Sequence, residues 1–145
     1  MAFVGAKLAL VAGDRILTYL RDDVGHIPWP NMWDLPGGGR EGAETPAACV
    51  LRELREEFGL DLPESRLLWR REMPSMIDPD KPAWFFAGRL AEDEVAAIRF
   101  GDEGQLWRMM PVQAFLTHPE AVPALQVRTR MALDDLGWLR RGASP

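Results

Sequence analysis

Three glutamates stand close together in the stretch RELREEFGL, residues 52–60. Glu53, Glu56 and Glu57 occupy positions i, i+3 and i+4, so a helix would bring their carboxylates to one face. Like charges at these spacings destabilise a helix by roughly 0.2–0.5 kcal/mol per pair. Carboxylate oxygens suit a hard divalent cation such as Mg²⁺, which commonly bridges them to substrate phosphates. The cluster therefore predicts a metal site, because a bound cation would relieve the repulsion.

The residues around the glutamates predict the helix that this site requires. Thr45 is a favourable N-cap, Pro46 suits the first helical position, and Gly59 suits a left-handed C-terminal position. An apolar stripe runs about a quarter-turn away from the acids and consists of Ala47, Leu51, Leu54 and Phe58. The alternative to a metal site is a solvated acidic face. Two features count against it: the acids lie in the C-terminal half, where the helix dipole disfavours negative charge, and a glycine-rich turn precedes the helix.

The remaining sequence predicts strands around this helix. Alternation and turn signals predict strands over residues 3–12, 15–21, 32–35, 66–76, 83–90 and 106–110. We expect a loop over residues 22–31, a strand-ending turn at PGGG (36–39), and an irregular stretch with one helical turn over 91–105. Further helices are predicted over 111–117 and 120–136. This order predicts one α/β domain, residues 1–140, with a mixed sheet covered on both faces and a frayed tail at 141–145.

Composition narrows the class of partner. The 145 residues carry a net charge of −5, which argues against binding long nucleic acid through a basic surface. It does not argue against a small phosphorylated ligand, because a metal ion supplies local positive charge. Cys49 is the single cysteine, which excludes an internal disulfide and fits a reducing cytoplasm. No apolar run approaches the roughly 18 residues of a membrane span, so we expect no membrane partner.

A longer pattern includes the three glutamates. Gly38 is followed after five residues by Glu44 and, after seven more, by RELREEFGL. This resembles the Nudix box, G-x5-E-x7-R-E-U-x-E-E-x-G-U with U aliphatic, at all nine specified positions over 23 residues. The flanking NMWDLPGG, residues 31–38, is similar to the usual lead-in. The element order also agrees with the Nudix α/β/α sandwich around a central mixed β-sheet.

The resemblance implies hydrolysis of a nucleoside diphosphate linked to another group, with Mg²⁺ or Mn²⁺ as the cofactor. It implies that Glu53, Glu56 and Glu57 are metal ligands and that the carbonyl of Gly38 adds another. Arg52 would hold a glutamate in its productive rotamer through a bidentate pair. Glu44, just before the helix, would brace the loop.

A second match lies downstream. GDEGQLWRMM, residues 101–110, resembles the G-x-E-G-Q segment of MutT-like Nudix hydrolases, where the loop glutamate joins the metal site or acts as the base. This assigns Glu103 to the catalytic and metal sites. An exposed loop acid is the alternative, and Asp102 is the local competitor. Glu92 and Glu94 are weaker candidates and are expected to be solvated.

Substrate contacts are predicted outside the box. Arg21, at the end of the second strand, is a candidate phosphate contact, and Trp29 is a candidate for stacking a base. Cys49 is expected to be a packing residue, and His26 a plain loop residue. The catalytic set is thus Arg52, Glu53, Glu56 and Glu103, and the metal set is Gly38, Glu53, Glu56, Glu57 and Glu103.

The MutT-like match favours a nucleoside triphosphate that gives the monophosphate and pyrophosphate. A nucleoside diphosphate sugar hydrolase is the alternative enzyme, and dinucleoside polyphosphates and oxidised nucleotides stay open as substrates. A nucleotide-sensing module without turnover is a further alternative from another class. A homodimer is left open.

Overall fold

The fold is a mixed β-sheet with helices on both faces, seen in a computed structural model that describes residues 2–139. The strands in that range are β1 (Gly5–Ala12), β2 (Arg15–Leu20), β3 (Trp33–Asp34), β4 (Gly37–Gly39), β5 (Trp69–Pro74), β6 (Pro82–Arg89) and β7 (Leu106–Pro111). The helices are α1 (Pro46–Phe58), α2 (Glu92–Ala96), α3 (Val112–Thr117) and α4 (Pro123–Asp135), with a 3₁₀ turn at Glu64–Arg66.

Strand β1 lies at the centre because its residues are mostly apolar and buried. The sheet order is β3-β2-β1-β6-β5, with β4 against β1 and β7 against β2. β1 runs parallel to β6 from Ala6 opposite Trp84 onwards, and antiparallel to β2 through the turn at Gly13. Gly13 has a φ of +62°, a conformation that glycine adopts at no steric cost. The predicted hairpin and mixed sheet are confirmed.

The sheet divides at one end of β1, and this division creates the space for a site. β1 and β2 pair through Val11 with Ile16 and Ala12 with Arg15, beside the turn. Further from the turn, β1 takes β4 as its partner, with Lys7 opposite Gly37. The far half of β2 pairs instead with β3, whereas β7 pairs with β2 along its whole length. The two halves of the sheet therefore separate near Lys7.

The two faces of the sheet bury separate sets of apolar side chains, because successive residues of a strand point to opposite faces. Leu8 and Leu10 pack with α1, whereas Ala9 and Val11 pack with α3 and α4. Each fully buried leucine or phenylalanine contributes about 1.5–3 kcal/mol. The predicted α/β/α sandwich is confirmed, with the glutamate helix α1 forming one outer layer.

Helix α1 begins and ends as predicted. The Thr45 side chain accepts a hydrogen bond from the Ala48 N–H at 3.1 Å, Pro46 is the first residue, and Gly59 closes the helix with a φ of +68°. The apolar stripe is also confirmed, since Leu54 and Phe58 are fully buried. The helix is therefore held firmly at both ends, which fixes the direction of its acidic side chains.

Several boundaries differ from the prediction. The strand before PGGG does end, at Asp34, but the turn expected at residues 36–39 was wrong, because Gly37–Gly39 forms β4 and pairs with β1. The run predicted over residues 66–76 is shorter, since Glu64–Arg66 is a 3₁₀ turn and β5 starts at Trp69. No helix within residues 2–139 is long and apolar enough to cross a membrane. The tail predicted at 141–145 lies outside the described residues.

Candidate active site

A cleft of about 610 Å³ opens where β1 and β2 separate. Six of the predicted site residues line it: Arg21, Trp29, Gly38, Glu53, Glu57 and Glu103. Residues that are distant in the chain thus meet at one place, which is the behaviour expected of a site. Arg52 and Glu56 lie on α1 beside the cleft and are not among its lining residues.

Glu57 is a buried carboxylate of the cleft, with 8% of its surface exposed. Its Oε1 accepts a hydrogen bond from the Gly37 N–H at 3.0 Å. Burial raises the pKa of Glu57 to about 8, and the positive charge of Lys7 opposes this only in part. A carboxylate that is buried without a bonded cation would gain from a bound positive charge.

Glu53 lies against the backbone of Gly38. A Cβ atom on Gly38 would stand 2.6–2.8 Å from the carboxyl atoms of Glu53, closer than real contacts allow. Only glycine therefore lets β4 approach the acidic face of α1 at this point. Burial raises the pKa of Glu53, and Arg52 opposes the effect. The glycine and the first glutamate of the pattern are thus linked by direct contact.

Arg52 connects three glutamates, one in the loop before α1 and two on the helix itself. It binds Glu44 through two hydrogen bonds, Nε to Oε2 at 2.6 Å and Nη2 to Oε1 at 3.2 Å. Its Nη1 donates to Glu53 at 3.0 Å and to Glu56 at 3.1 Å. The two-point partner is therefore Glu44, whereas the predicted metal ligands Glu53 and Glu56 each receive a single bond. Glu44 also accepts from the Glu41 N–H at 2.9 Å, so it braces the loop as expected.

An ion network around Asp34 fills the division of the sheet, and sequence reasoning missed it. Asp34 is 1% exposed and its Oδ2 accepts from Lys7 at 2.9 Å, Arg21 at 2.8 Å and the Tyr19 hydroxyl at 3.1 Å. Lys7 and Arg21 hold the pKa of Asp34 below its ordinary value although burial alone would raise it. The available signal was Asp34 between the apolar Trp33 and Leu35, a charge inside a predicted strand.

Arg21 and Trp29, the predicted substrate residues, both line the cleft. Arg21 donates to Asp34 and, through Nε, to the Pro28 carbonyl at 2.9 Å, so its guanidinium is fixed by the protein. Trp29 is half-buried at the cleft with a φ of +53°. Glu103 is exposed at the cleft, whereas Asp102 is exposed outside its lining. These contacts leave both substrate assignments as predictions.

Two further expectations concern side chains near the box. Cys49 is fully buried, and its Sγ donates to the Gly38 carbonyl at 3.7 Å. Burial raises the pKa of the Cys49 thiol to about 11, so a thiolate is disfavoured there. His26 is exposed in the loop after β2, and it is not among the residues of the cleft.

The donor set at the cleft suits a divalent cation. The carboxylates of Glu53 and Glu57 and the adjacent Gly38 backbone offer oxygen ligands, which hard cations prefer. Burial raises the pKa of Glu57 there, and a bound cation would oppose that shift. Within residues 2–139, no three acidic, histidine or cysteine side chains stand close enough to hold a metal together. Glu56 bonds to Arg52 and is 57% exposed, so its assignment stays a prediction.

Comparison with known proteins identifies the fold family. The NUDIX domain family matches residues 5–130, which is most of the chain and includes every lining residue of the cleft except Val4. The chain belongs to the NUDIX domain family. An RNA pyrophosphohydrolase of Acidiphilium cryptum is 46% identical over 79 residues, 54% of this chain and 44% of that protein. Another, of Hydrogenovibrio crunogenus, is 30% identical over 115 residues, 65% of this chain and 70% of that protein.

The shape of this Nudix domain is also MutT-like. The crystal structure of a MutT protein from Methanosarcina mazei Go1 superposes with a TM-score of 0.69 at 15% identity, covering 91% of this chain and 93% of that one. The chain spans less than half of the Acidiphilium relative, and that relative's activity is not carried over with the fold. Nudix hydrolases generally use divalent metal ions and act on small nucleotide derivatives. The fit of Glu53 and Glu57 to a cation agrees with this.

Proposed function

We propose that this Nudix hydrolase domain, with Mg²⁺ or Mn²⁺ bound, converts a nucleoside triphosphate to the monophosphate and pyrophosphate. The observation that carries the proposal is the pair of acids on the cleft floor. Glu57 is buried with its pKa raised to about 8, and Glu53 lies against the Gly38 backbone. This pair offers a cation a place beside a glycine-rich strand that phosphates can approach closely.

The residues have separate roles in the proposed reaction. Glu53, Glu57 and the Gly38 carbonyl would hold the cation, and Arg52 fixes the rotamer of Glu53 by its 3.0 Å bond. When bound there, a cation would neutralise phosphate charge and lower the pKa of water. Glu103 accepts the proton of the attacking water as the new P–O bond forms. The bridging P–O bond then breaks, and its electron pair leaves with pyrophosphate.

A second substrate class is favoured by the comparisons. Both curated relatives described above are named RNA pyrophosphohydrolases, and one matches over 65% of this chain. The same cleavage at the 5′-triphosphate end of an RNA requires the chemistry just described. The charge of −5 disfavours extended contacts to the RNA backbone, so the mononucleotide remains our first choice.

A substrate panel tests the proposal. Nucleoside triphosphates, nucleoside diphosphate sugars, dinucleoside polyphosphates and a short 5′-triphosphate RNA are incubated with the protein and Mg²⁺ or Mn²⁺, and the products are separated. We expect monophosphate and pyrophosphate from a triphosphate, with no turnover in EDTA. Preference for a diphosphate sugar would overturn the substrate class, and tight nucleotide binding without hydrolysis would indicate a sensing module.

Two loop variants test the proton acceptor. Glu103→Gln keeps the size of the side chain but removes its basicity, so kcat should fall by at least about tenfold. Asp102→Asn is the matched control and should change kcat much less, because Asp102 is outside the cleft lining. The reverse ranking would move the role to Asp102. The cytoplasmic location stays a prediction.

A further inference from the structure

Arg128 is a cleft residue whose charge the proposed reaction does not use. It lies on α4, is half-buried and lines the cleft. Its Nη2 donates to the Pro74 carbonyl at 2.6 Å, a neutral acceptor. Burial lowers the pKa of Arg128, and no charged side chain among residues 2–139 contributes to that shift. A guanidinium in this setting lacks the negative charge that usually accompanies burial.

Other arginines beside the cleft differ in this respect. Arg21 bonds to Asp34 at 2.8 Å, and Arg52 bonds to Glu44 at 2.6 Å. Lys81 lines the same end of the cleft as Arg128, but it pairs with Asp78 at 3.6 Å, so the two charges offset each other. The charge of Arg128 therefore remains as the net positive charge at this end.

The position of Arg128 separates it from the predicted base contact. Its partner Pro74 ends β5 and stands opposite Pro82 of β6. Trp29 lies in the loop after β2. β2 and β6 lie on opposite sides of β1 in the sheet order, and the far half of β2 separates from β1. β4, with Gly38, pairs with β1 between them. The cleft thus runs from Trp29, past the acids, to Arg128.

We propose that Arg128 binds the phosphate group at the end of the substrate away from the nucleoside, which for a nucleoside triphosphate becomes pyrophosphate. This assignment rests on the proposed function for the order of groups along the cleft. A planar guanidinium donates two parallel hydrogen bonds to phosphate oxygens, which makes arginine suited to this ligand. The pyrophosphate charge also supplies the compensation that Arg128 lacks among residues 2–139.

Titration calorimetry with inorganic pyrophosphate, in EDTA and without nucleotide, tests the assignment. The variants are Arg128→Gln, Arg128→Lys and the control Arg130→Gln, which changes an exposed arginine on the same helix. We expect Arg128→Gln to weaken binding at least tenfold, as loss of a charged hydrogen bond does. Arg128→Lys should lose less, and Arg130→Gln should stay within twofold of wild type. Thermal melts confirm that each variant is folded.

Equal affinities of Arg128→Gln and Arg130→Gln, or no pyrophosphate binding by wild type, would overturn the assignment. This binding measurement does not depend on whether the protein hydrolyses any substrate. If the protein cleaves triphosphates but Arg128→Gln binds pyrophosphate normally, the anion position fails and the proposed function stands. If binding depends on Arg128 but no substrate is cleaved, the anion position stands and the activity fails.

Discussion

Asp34 and Glu57 are two buried carboxylates that line the same cleft, but their surroundings shift their pKa values in opposite directions. Asp34 receives hydrogen bonds from Lys7, Arg21 and Tyr19, and its pKa is held below the ordinary value. Glu57 receives one bond from a backbone N–H, and burial raises its pKa to about 8. Both are almost fully buried, so burial alone does not explain the difference.

The difference lies in where the compensating charge comes from. For Asp34 it is built into the protein, because Lys7 of β1 and Arg21, directly after β2, both lie where the sheet divides. For Glu57 the protein supplies only partial compensation, from Lys7 across the cleft. Asp34 therefore holds the divided sheet together, whereas Glu57 is suited to a ligand with positive charge. Four predictions test this contrast.

The largest effect is expected from Asp34→Asn. The change leaves Lys7 and Arg21 without the carboxylate between them, and breaking a buried ion pair from one side costs about 3–5 kcal/mol. The melting temperature should fall on the order of 10 °C. Asp23→Asn, in the exposed loop, is the control and should change the free energy of unfolding by less than about 0.5 kcal/mol. A stable Asp34→Asn protein would contradict the structural role.

Glu57→Gln should not destabilise the metal-free protein, in contrast to Asp34→Asn. The amide oxygen still accepts the bond from Gly37. Burial of an ionisable carboxyl whose pKa is raised to about 8 no longer costs free energy at neutral pH, so the metal-free variant should be at least as stable as wild type. Its affinity for Mn²⁺ should fall at least about a hundredfold, close to 2.7 kcal/mol. Calorimetry measures both the stability and the Mn²⁺ affinity. Glu72→Gln, which changes an exposed residue of β5, is the control. Unchanged Mn²⁺ affinity would remove Glu57 from the metal site.

Arg52→Lys tests whether the arginine acts on the acids of the site or on the loop. Lysine keeps the charge but loses the planar fork that binds Glu44 at two points and Glu53 at one. We expect kcat to fall by about tenfold or more, roughly 1.4 kcal/mol, because Glu53 loses its fixed rotamer. Arg55→Lys, more than half exposed on the same helix, should be neutral. Unchanged turnover of Arg52→Lys would make Arg52 a loop brace through Glu44.

Local patterns predicted α1 and its caps because Thr45, Pro46 and Gly59 act within a few residues of each other. That Gly38 and Glu53 belong to one site was implied by a family pattern, and their direct contact is seen only in the structure. The Asp34 network was missed because its members come from β1, β2 and β3, and only the pairing of those strands brings them together. The strand Gly37–Gly39 was missed because glycine has low β-propensity, and the tertiary pairing with β1 overrides it.

Glu94, on the surface, is a second residue whose partner is distant in sequence and could not be predicted from local patterns. The expectation that it is solvated was wrong, because Arg66 binds it through two hydrogen bonds of 2.6 and 2.8 Å across 28 residues of sequence. Its carboxylate also accepts from the Ala91 N–H at 2.8 Å at the start of α2. No periodicity within residues 91–105 indicates a partner that lies before β5.

The smallest effect is expected from Glu94→Gln. This variant tests how much an ion pair with arginine stabilises the fold when it lies outside the core. Arg66 lowers the pKa of Glu94 to about 2. Because the folded pKa lies below the unfolded one, the stabilisation is present above about pH 4.5 and is lost as pH falls toward 2. Glu94 is 25% exposed, so solvent screening reduces the contribution to about 1 kcal/mol at pH 7. The side-chain oxygen of the glutamine can still accept the bond from the Ala91 N–H, so the variant removes only the charge.

Urea unfolding of wild type and Glu94→Gln at pH 7, 5 and 3 measures the difference between their free energies of unfolding. This difference should become smaller as the pH falls. Glu92→Gln, which changes a more exposed pair, should show no difference from wild type. A gap that does not change with pH would mean that Glu94 stabilises α2 by packing, and the contrast between Asp34 and Glu57 would then be confined to the buried cleft.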